Sequence, residues 1–270
     1  MTQYIPLSKT EHATQGWRKA DSFQFAAEQS AVAVMLDELP QLIPTLPLAF
    51  IRHPSDDGSA RFELMALLTL VPGQNLFVAP NGRWLGGYIP AEFRGYPFRL
   101  IPEQSSGRPV LCLDRDSGLI SDNPAADGEA FFDAEGELSP AMQRVLNFLN
   151  QCERSRGLTQ ATVDILAQHQ LIVPWPIKLN SGAEKSNEVK GLYRIDEDAL
   201  RSLSGEALQA LARTNALSLA YAQLLSQHRL QGLARLYELH ARAKQAETDL
   251  TKEDVEGLFS TQDDTLKFDF

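Results

Sequence analysis

The sequence predicts an α+β fold: a largely antiparallel sheet or partial barrel over about residues 47–114, flanked by helices and followed by a helical C-terminal third. Three observations carry this. Two apolar runs, "PLAFIR" at 47–52 and "FELMALLTLV" at 62–71, enclose the polar turn "HPSDDGSA" and read as a hairpin. A second pair, "FRLI" at 98–101 and "VLCLD" at 110–114, is joined by the turn-forming "PEQSSGRP". From Ser139 onward apolar residues recur at helical spacing, starting with Met142, Val145, Leu146 and Leu149.

In chain order, "DSFQFAAEQSAVAVMLDELPQL" reads as a helix capped by Asp21 or Ser22, with Phe25, Val32, Leu36 and Leu39 on its apolar face and Pro40 helping to end it. After the first hairpin, "NLFV" and "RWLGGYI" read as paired strands around "APNG", where Asn81 and Gly82 supply the positive φ of a tight turn. Residues 47–90 are thus expected to form an antiparallel meander. Residues 114–138 form a long connection rich in Asp, Glu and Gly. Ser139 then caps a helix with Pro140 in its first position, and Thr159 caps a second, "QATVDILAQHQL".

Two prolines in "LIVPWPIKL" at 171–179 remove ladder donors and make it an edge or crossing segment. "SGAEKSNEVKG" is a polar loop and "LYRI" at 192–195 a short strand. Asp196 and Ser204 cap short helices running through Leu203 and Ala212, and a longer helical region spans about Asn215 to Ala246 with Gly232 as its weak point. The expected organisation is one domain over 1–248, sheet-rich to residue 138 and helix-rich after it, with an acidic tail at 249–270.

A chain of 270 residues buries roughly 70–75% of its unfolded surface. Apolar residues at 43% and charged residues at 22% are ordinary globular usage, which argues against global disorder. The net charge of −10 opposes a phosphate backbone, so nucleic acid is not an expected partner. No run approaches the ~18–20 apolar residues of a membrane-spanning helix, and the N-terminus shows no basic leader followed by an apolar stretch. The expected location is the cytoplasm, unless a partner or a leaderless route carries the protein out. The sequence does not set an oligomeric state.

Cys112 and Cys152 lie forty positions apart, form no CxxC, and read as reduced apolar residues. Phosphate-loop, dinucleotide and GxSxG signatures are missing, as is an SxxK pair. His12, His53, His169, His228 and His240 form neither HExxH nor HxH, so no metal site is expected. Asp114 and Asp116 suggest calcium only superficially, because Gly118 comes a position early and no Glu follows at the required distance. No cofactor is implied.

The stretch "NLFVAPNGRWLGGYIPAEFRGYPF" at 75–98 is dense in aromatics, prolines, glycines and arginines. Three readings apply. Its aromatics fill a core, with Trp84 and Tyr88 on one strand face. Alternatively, Arg83, Trp84, Tyr88, Glu92, Arg94 and Tyr96 form a surface that binds a protein or peptide, since aromatics and Arg are low-entropy contact residues. The third is a catalytic pocket near Tyr88, Glu92 and Arg94, with Tyr88 and Glu92 as its acid–base candidates. The binding surface is the functional expectation, with an enzyme or enzyme subunit as the alternative. In the tail, Phe259, Phe268 and Phe270 are candidate anchors of a docking peptide.

The ordered segments "HATQGW", "FAAEQSAVAVMLDELP", "PLAFIR", "ALLTLVPGQNLFVAPNGRWLGGYIPAEFRGYPF", "FFDAEGELSP" and "GLYRIDEDALRSL" resemble the bacterial SapC family over about Tyr4 to His240. The resemblance implies an accessory protein named for a surface-layer locus, with genes that tend to neighbour TonB-dependent receptors and flavin halogenase-like proteins. A surface-layer-associated structural role is the further alternative it implies. Some relatives carry a peptide-transport label, which a chain without spanning segments does not fit. The family supplies no catalytic residues to carry over.

Overall fold

The computed structural model describes residues 3–54, 60–103, 105–179, 187–246 and 249–259. The N-terminal part runs β1 (Tyr4–Pro6), β2 (Gly16–Trp17), β3 (Ala31–Ala33), α1 (Leu39–Leu42), β4 (Leu48–Pro54) and β5 (Ala60–Leu67). After the aromatic stretch come α2 (Ala91–Arg94), β6 (Phe98–Pro102), β7 (Pro109–Asp114), β8 (Ile120–Ser121), α3 (Pro124–Asp127) and β9 (Glu129–Ala130). The second half runs α4 (Pro140–Gln168), β10 (Ile172–Pro174), β11 (Ile177–Leu179), β12 (Asn187–Val189), β13 (Leu192–Ile195), α5 (Glu197–Arg201), α6 (Gly205–Arg213), α7 (Ala216–Ser226), α8 (Leu230–Ala246) and α9 (Lys252–Phe259).

The expected α+β class holds, and the sheets are antiparallel and open instead of closing into a barrel. The hairpin β4–β5 pairs Leu48 with Ala66 through Pro54 with Ala60, as the alternating apolar runs predict. It is the centre of a five-stranded sheet ordered β10-β13-β4-β5-β3. β6 and β7 form the second expected hairpin, from Phe98–Leu113 to Pro102–Pro109, in a three-stranded sheet ordered β1-β7-β6. Two small sheets, β8-β2-β9 and β11-β12, complete the described strands.

Helix α4 packs against β5 of the larger sheet and β6 of the smaller one, and so bridges them. The main core lies between the larger sheet and the helices, with Phe50, Leu64, Phe77, Val163, Leu166 and Leu219 among its buried members. A second cluster under the smaller sheet gathers Trp17, Phe98, Leu113, Phe131 and Met142, with Trp17 stacked on Phe131 at 5.5 Å and edge-on to Phe98 at 5.2 Å. α7 is sewn to the larger sheet by buried side chains that satisfy strand groups. Gln223 accepts from Ile195 N–H at 2.9 Å and donates to Leu48 C=O at 3.0 Å, while Ser226 accepts from Leu48 N–H at 2.9 Å. Such pairing removes the cost of burying polar groups in a core.

Several expectations are corrected. The helix expected over "DSFQFAAEQSAVAVMLDELPQL" is a short 3₁₀ turn at Gln24–Ala26, the strand β3, a second 3₁₀ turn at Leu36–Glu38, and α1. The β-branched alternation in "AVAV" fits a pleated edge better than a helix. Pro40 sits in the first turn of α1, where its missing N–H is no loss. The two helices expected after Ser139 are one 29-residue helix. Ser139 caps it by accepting from Met142 N–H at 3.2 Å, a contribution of about 1 kcal/mol. Thr159 lies inside that helix, its hydroxyl donating to Ser155 C=O at 2.7 Å and accepting from Leu36 N–H at 3.0 Å. Asp196 and Ser204 do cap α5 and α6, and β10 is a sheet edge as its prolines require.

The helical region from about residue 215 breaks at Gln227–Arg229, not at Gly232. Gly232 is instead a notch: a Cβ there would lie 2.0 Å from the Phe259 ring. The segment 249–259 folds back, burying Leu250 and Val255 in the main core and stacking Phe259 on Phe77 at 6.2 Å. Phe268 and Phe270 lie outside the described residues.

Candidate functional site

The stretch 75–98 starts from a pinned asparagine. Asn75, buried, receives a hydrogen bond from Phe77 N–H at 2.9 Å and donates from Nδ2 to Ala26 C=O at 3.0 Å. The chain then turns at Gly82, whose φ of +82° matches the expected tight turn. The expected strands on either side reduce to a single bridge between Val78 and Trp84. The returning strand stops because Gly86 and Gly87 follow at once, and a Cβ at Gly86 would come within 2.8 Å of the Trp84 indole nitrogen. Trp84 and Tyr88 therefore do not share a strand face. The Trp84 indole N–H donates back to Tyr88 C=O at 2.9 Å.

Trp84 is 2% exposed and packs on Phe23, Phe77 and Phe93 at 5.6–5.7 Å. It is core, and it fixes Tyr88 from behind. Arg83 is exposed and hydrogen-bonds Leu250 C=O, while Asn81 donates to Asp249 at 2.9 Å, so this end of the stretch is tied to the C-terminal segment. Tyr96 stacks on Phe25 at 3.8 Å and donates to Asp114 at 2.9 Å. Burial first, and then that carboxylate, push its phenol pKa up.

The remaining three residues separate into two clusters. In the first, Tyr88 donates to Glu38 at 3.0 Å and accepts from Arg94 at 2.8 Å. The Arg94 guanidinium, exposed on one side, lies over the Tyr88 ring at 5.3 Å and the Phe148 ring at 5.1 Å. Glu38 is 3% exposed and also accepts from Met35 N–H at 3.0 Å and Ala91 N–H at 2.6 Å. Burial and the Glu38 charge push the Tyr88 phenol up to about 12, against the opposing pull of Arg94. A phenol held neutral there is a hydrogen-bonding group at ordinary pH.

The second cluster faces the other way, because residues two apart on a helical turn do not share a face. Glu92 is hydrogen-bonded by Arg99 and, at 3.1 Å, by Arg156 of α4. Arg99 also lies over the Tyr4 ring at 5.2 Å. This cluster walls a cleft of about 400 Å³ between the two large sheets. Ala33 of β3, the following Val34, and Arg61 and Glu63 of β5 line one side, Phe98 to Pro102 the other, and Leu149, Cys152 and Val163 of α4 the floor. The Cys152 thiol in that floor is free, and burial pushes its pKa up, which keeps it a thiol. Cys112 is likewise free and buried.

Sequence reasoning missed Glu38 and all the α4 contributors. Glu38 had a local signal, an acid three residues after Met35 at the start of a turn, which is capping-box spacing. Arg156, Cys152 and Val163 had none, because they reach the cleft only through the packing of α4 across both sheets. Among the described residues, no group of three His, Cys, Asp or Glu side chains gathers as a metal site, and no helix is long and apolar enough to cross a membrane.

The family model for SapC matches residues 7–233. Comparison with curated proteins and with solved structures gives no significant match.

Proposed function

The chain belongs to the SapC family, and we propose that it is a non-enzymatic accessory protein that recognises a protein or peptide partner through the cleft beside α2 and the Arg94–Tyr88–Phe148 surface next to it. The observation that carries this reading is the cleft itself. It is about 400 Å³, within the range of ligand sites, with an apolar floor and walls carrying Arg61, Arg99 and Arg156 beside Glu63, Glu92 and Glu153. A mixed-charge rim over an apolar floor suits a polypeptide better than a small anion. Arg94 and Tyr88 add a preorganised cation–π surface whose backbone is fixed by Trp84 and Glu38.

The catalytic alternative asks Tyr88, Glu92 and Arg94 to converge on one reacting group. Glu92 is engaged by two arginines while Arg94 and Tyr88 bind each other. A carboxylate held between two cations is a poor general base, and these contacts favour the binding reading.

The test is a photo-reactive amino acid at position 153, on the α4 rim of the cleft, in the full chain in its native cells. A matched control carries it at position 225, on the solvent-facing side of α7. The reading predicts discrete cross-linked adducts from 153 that Arg94→Ala weakens and that 225 does not give. Identical adducts from both positions, or none from 153, would overturn it, as would ordered sheets assembled by the purified protein alone.

A further inference from the structure

The cleft is bordered by two sheet edges to which no further strand is paired among the described residues. β3 ends the five-stranded sheet and β6 ends the three-stranded one, and both line the same cavity. Antiparallel pairing alternates which residues face the partner strand, so the known bonds fix where the rest point. On the β6 side, Asp114 N–H donates to Pro97 C=O and Glu103 N–H to Arg108 C=O. Odd-numbered residues therefore face β7, and Phe98, Leu100 and Pro102 turn their backbone groups outward. Leu111 C=O, opposite Leu100, accepts from Leu7 N–H on the far side, which confirms the phase. On the β3 side, Val34 N–H donates to Leu64 C=O and Leu68 N–H to Ser30 C=O, so Ala33 turns outward.

The outward N–H and C=O of Leu100 and Ala33 have no partner among the described residues. The Phe98 N–H is used by Gly95 C=O at 2.8 Å and Pro102 has none, which leaves Leu100 N–H as the donor of the β6 edge. Natural sheets normally cover or blunt such edges. Here two such edges line one cleft that has an apolar floor.

The geometry points to strand addition: the cleft takes one extended segment of a partner polypeptide, paired to the Leu100 edge of β6 and the Ala33 edge of β3. Its alternate side chains are apolar and descend onto Leu149, Cys152 and Val163, and it presents a carboxylate to Arg61. The length follows from β6, whose five residues span about 17 Å at ~3.3 Å each. The charge follows from the rim. Arg99 is matched by Glu92, Arg156 by Glu92 and by Glu153 at 3.7 Å, and Glu63 lies 2.8 Å from His53, whereas Arg61 has no anionic partner among the described residues. Main-chain bonds would supply affinity, and the floor and Arg61 would supply selection.

This inference rests on the recognition reading, and its test separates the two. A displayed library of random octapeptides is selected on the purified full-length protein and, in parallel, on Leu100→Pro. Proline is tolerated on a sheet edge whose N–H faces outward, so the variant keeps its circular dichroism and thermal midpoint. We expect enrichment of alternating apolar sequences carrying Asp or Glu. Synthetic copies should bind at least tenfold more weakly to Leu100→Pro. They should also weaken at least tenfold on backbone N-methylation of alternate residues, with the intervening residues insensitive, a result that does not depend on how the variant folds. Equal enrichment on both proteins, no enrichment, or indifference to N-methylation overturns strand addition. Cross-links from position 153 that persist in Leu100→Pro would reject this mode of binding while leaving partner recognition standing.

Discussion

Glu38 makes the sharpest demand on the architecture around the cleft, because one buried carboxylate holds Met35, Ala91 and Tyr88 together. Replacing it with Ala strands two buried N–H groups, those of Met35 and Ala91, while the half-exposed Tyr88 hydroxyl can turn to water. Each unsatisfied buried donor costs about 1–3 kcal/mol, so Glu38→Ala should lose about 3–5 kcal/mol. That is a large share of the ~5–15 kcal/mol total of a typical domain. Glu38→Gln keeps one oxygen for Ala91 and Tyr88 but sets an amide donor against Met35 N–H, for a loss of about 1–3 kcal/mol. Urea unfolding followed by tryptophan fluorescence reads both as shifts in midpoint at unchanged slope. A loss below about 1 kcal/mol for the alanine variant, or a glutamine variant worse than the alanine one, would refute the keystone role.

The other expectations are briefer. Gly232→Ala places a methyl against the Phe259 ring; overpacking of about 1–3 kcal/mol should outweigh the gain in helix propensity of about 1 kcal/mol, and faster proteolysis near residue 250 would report it. If Gly232→Ala stabilises the chain, segment 249–259 is not seated as described. Tyr88 ionises only at about 12, so the neutral phenol favours the fold: stability is full below about pH 10 and falls as pH rises from there towards 12. Absorbance at 295 nm that shows every tyrosine titrating near 10 in the folded protein would contradict this. His240 lies 2.7 Å from Leu76 C=O, and burial, partly opposed by that bond, lowers its pKa. Its depressed value makes stability complete above about 6.5 and declining as pH falls below it, a slope that His240→Gln should flatten.

The two hairpins were legible because strand alternation is a local signal, and each reappears with its expected partner. So were the caps at Ser139, Asp196 and Ser204, which act within three residues of themselves. The segment 21–40 was misread because the spacing of Phe25, Val32, Leu36 and Leu39 fits a helix as well as it fits separate short elements around one core. Of the six surface candidates, Trp84 went into the core, Arg83 to the C-terminal segment and Tyr96 to Asp114. Tyr88, Glu92 and Arg94 stay around α2, divided between its two sides. The cleft was not legible at all, since β3, β6 and α4 meet there from distant parts of the sequence, β3 and α4 more than a hundred residues apart.

Amide hydrogen exchange of the full-length protein, with and without a library-selected peptide, tests the central claim most directly. New protection is expected at Leu100 and Ala33, the outward edge amides that line the cleft, with the ladder amides of Arg99 and Ile101 little changed. Protection that instead appears around Arg83 and α9, or leaves Leu100 and Ala33 exchanging as before, would contradict it.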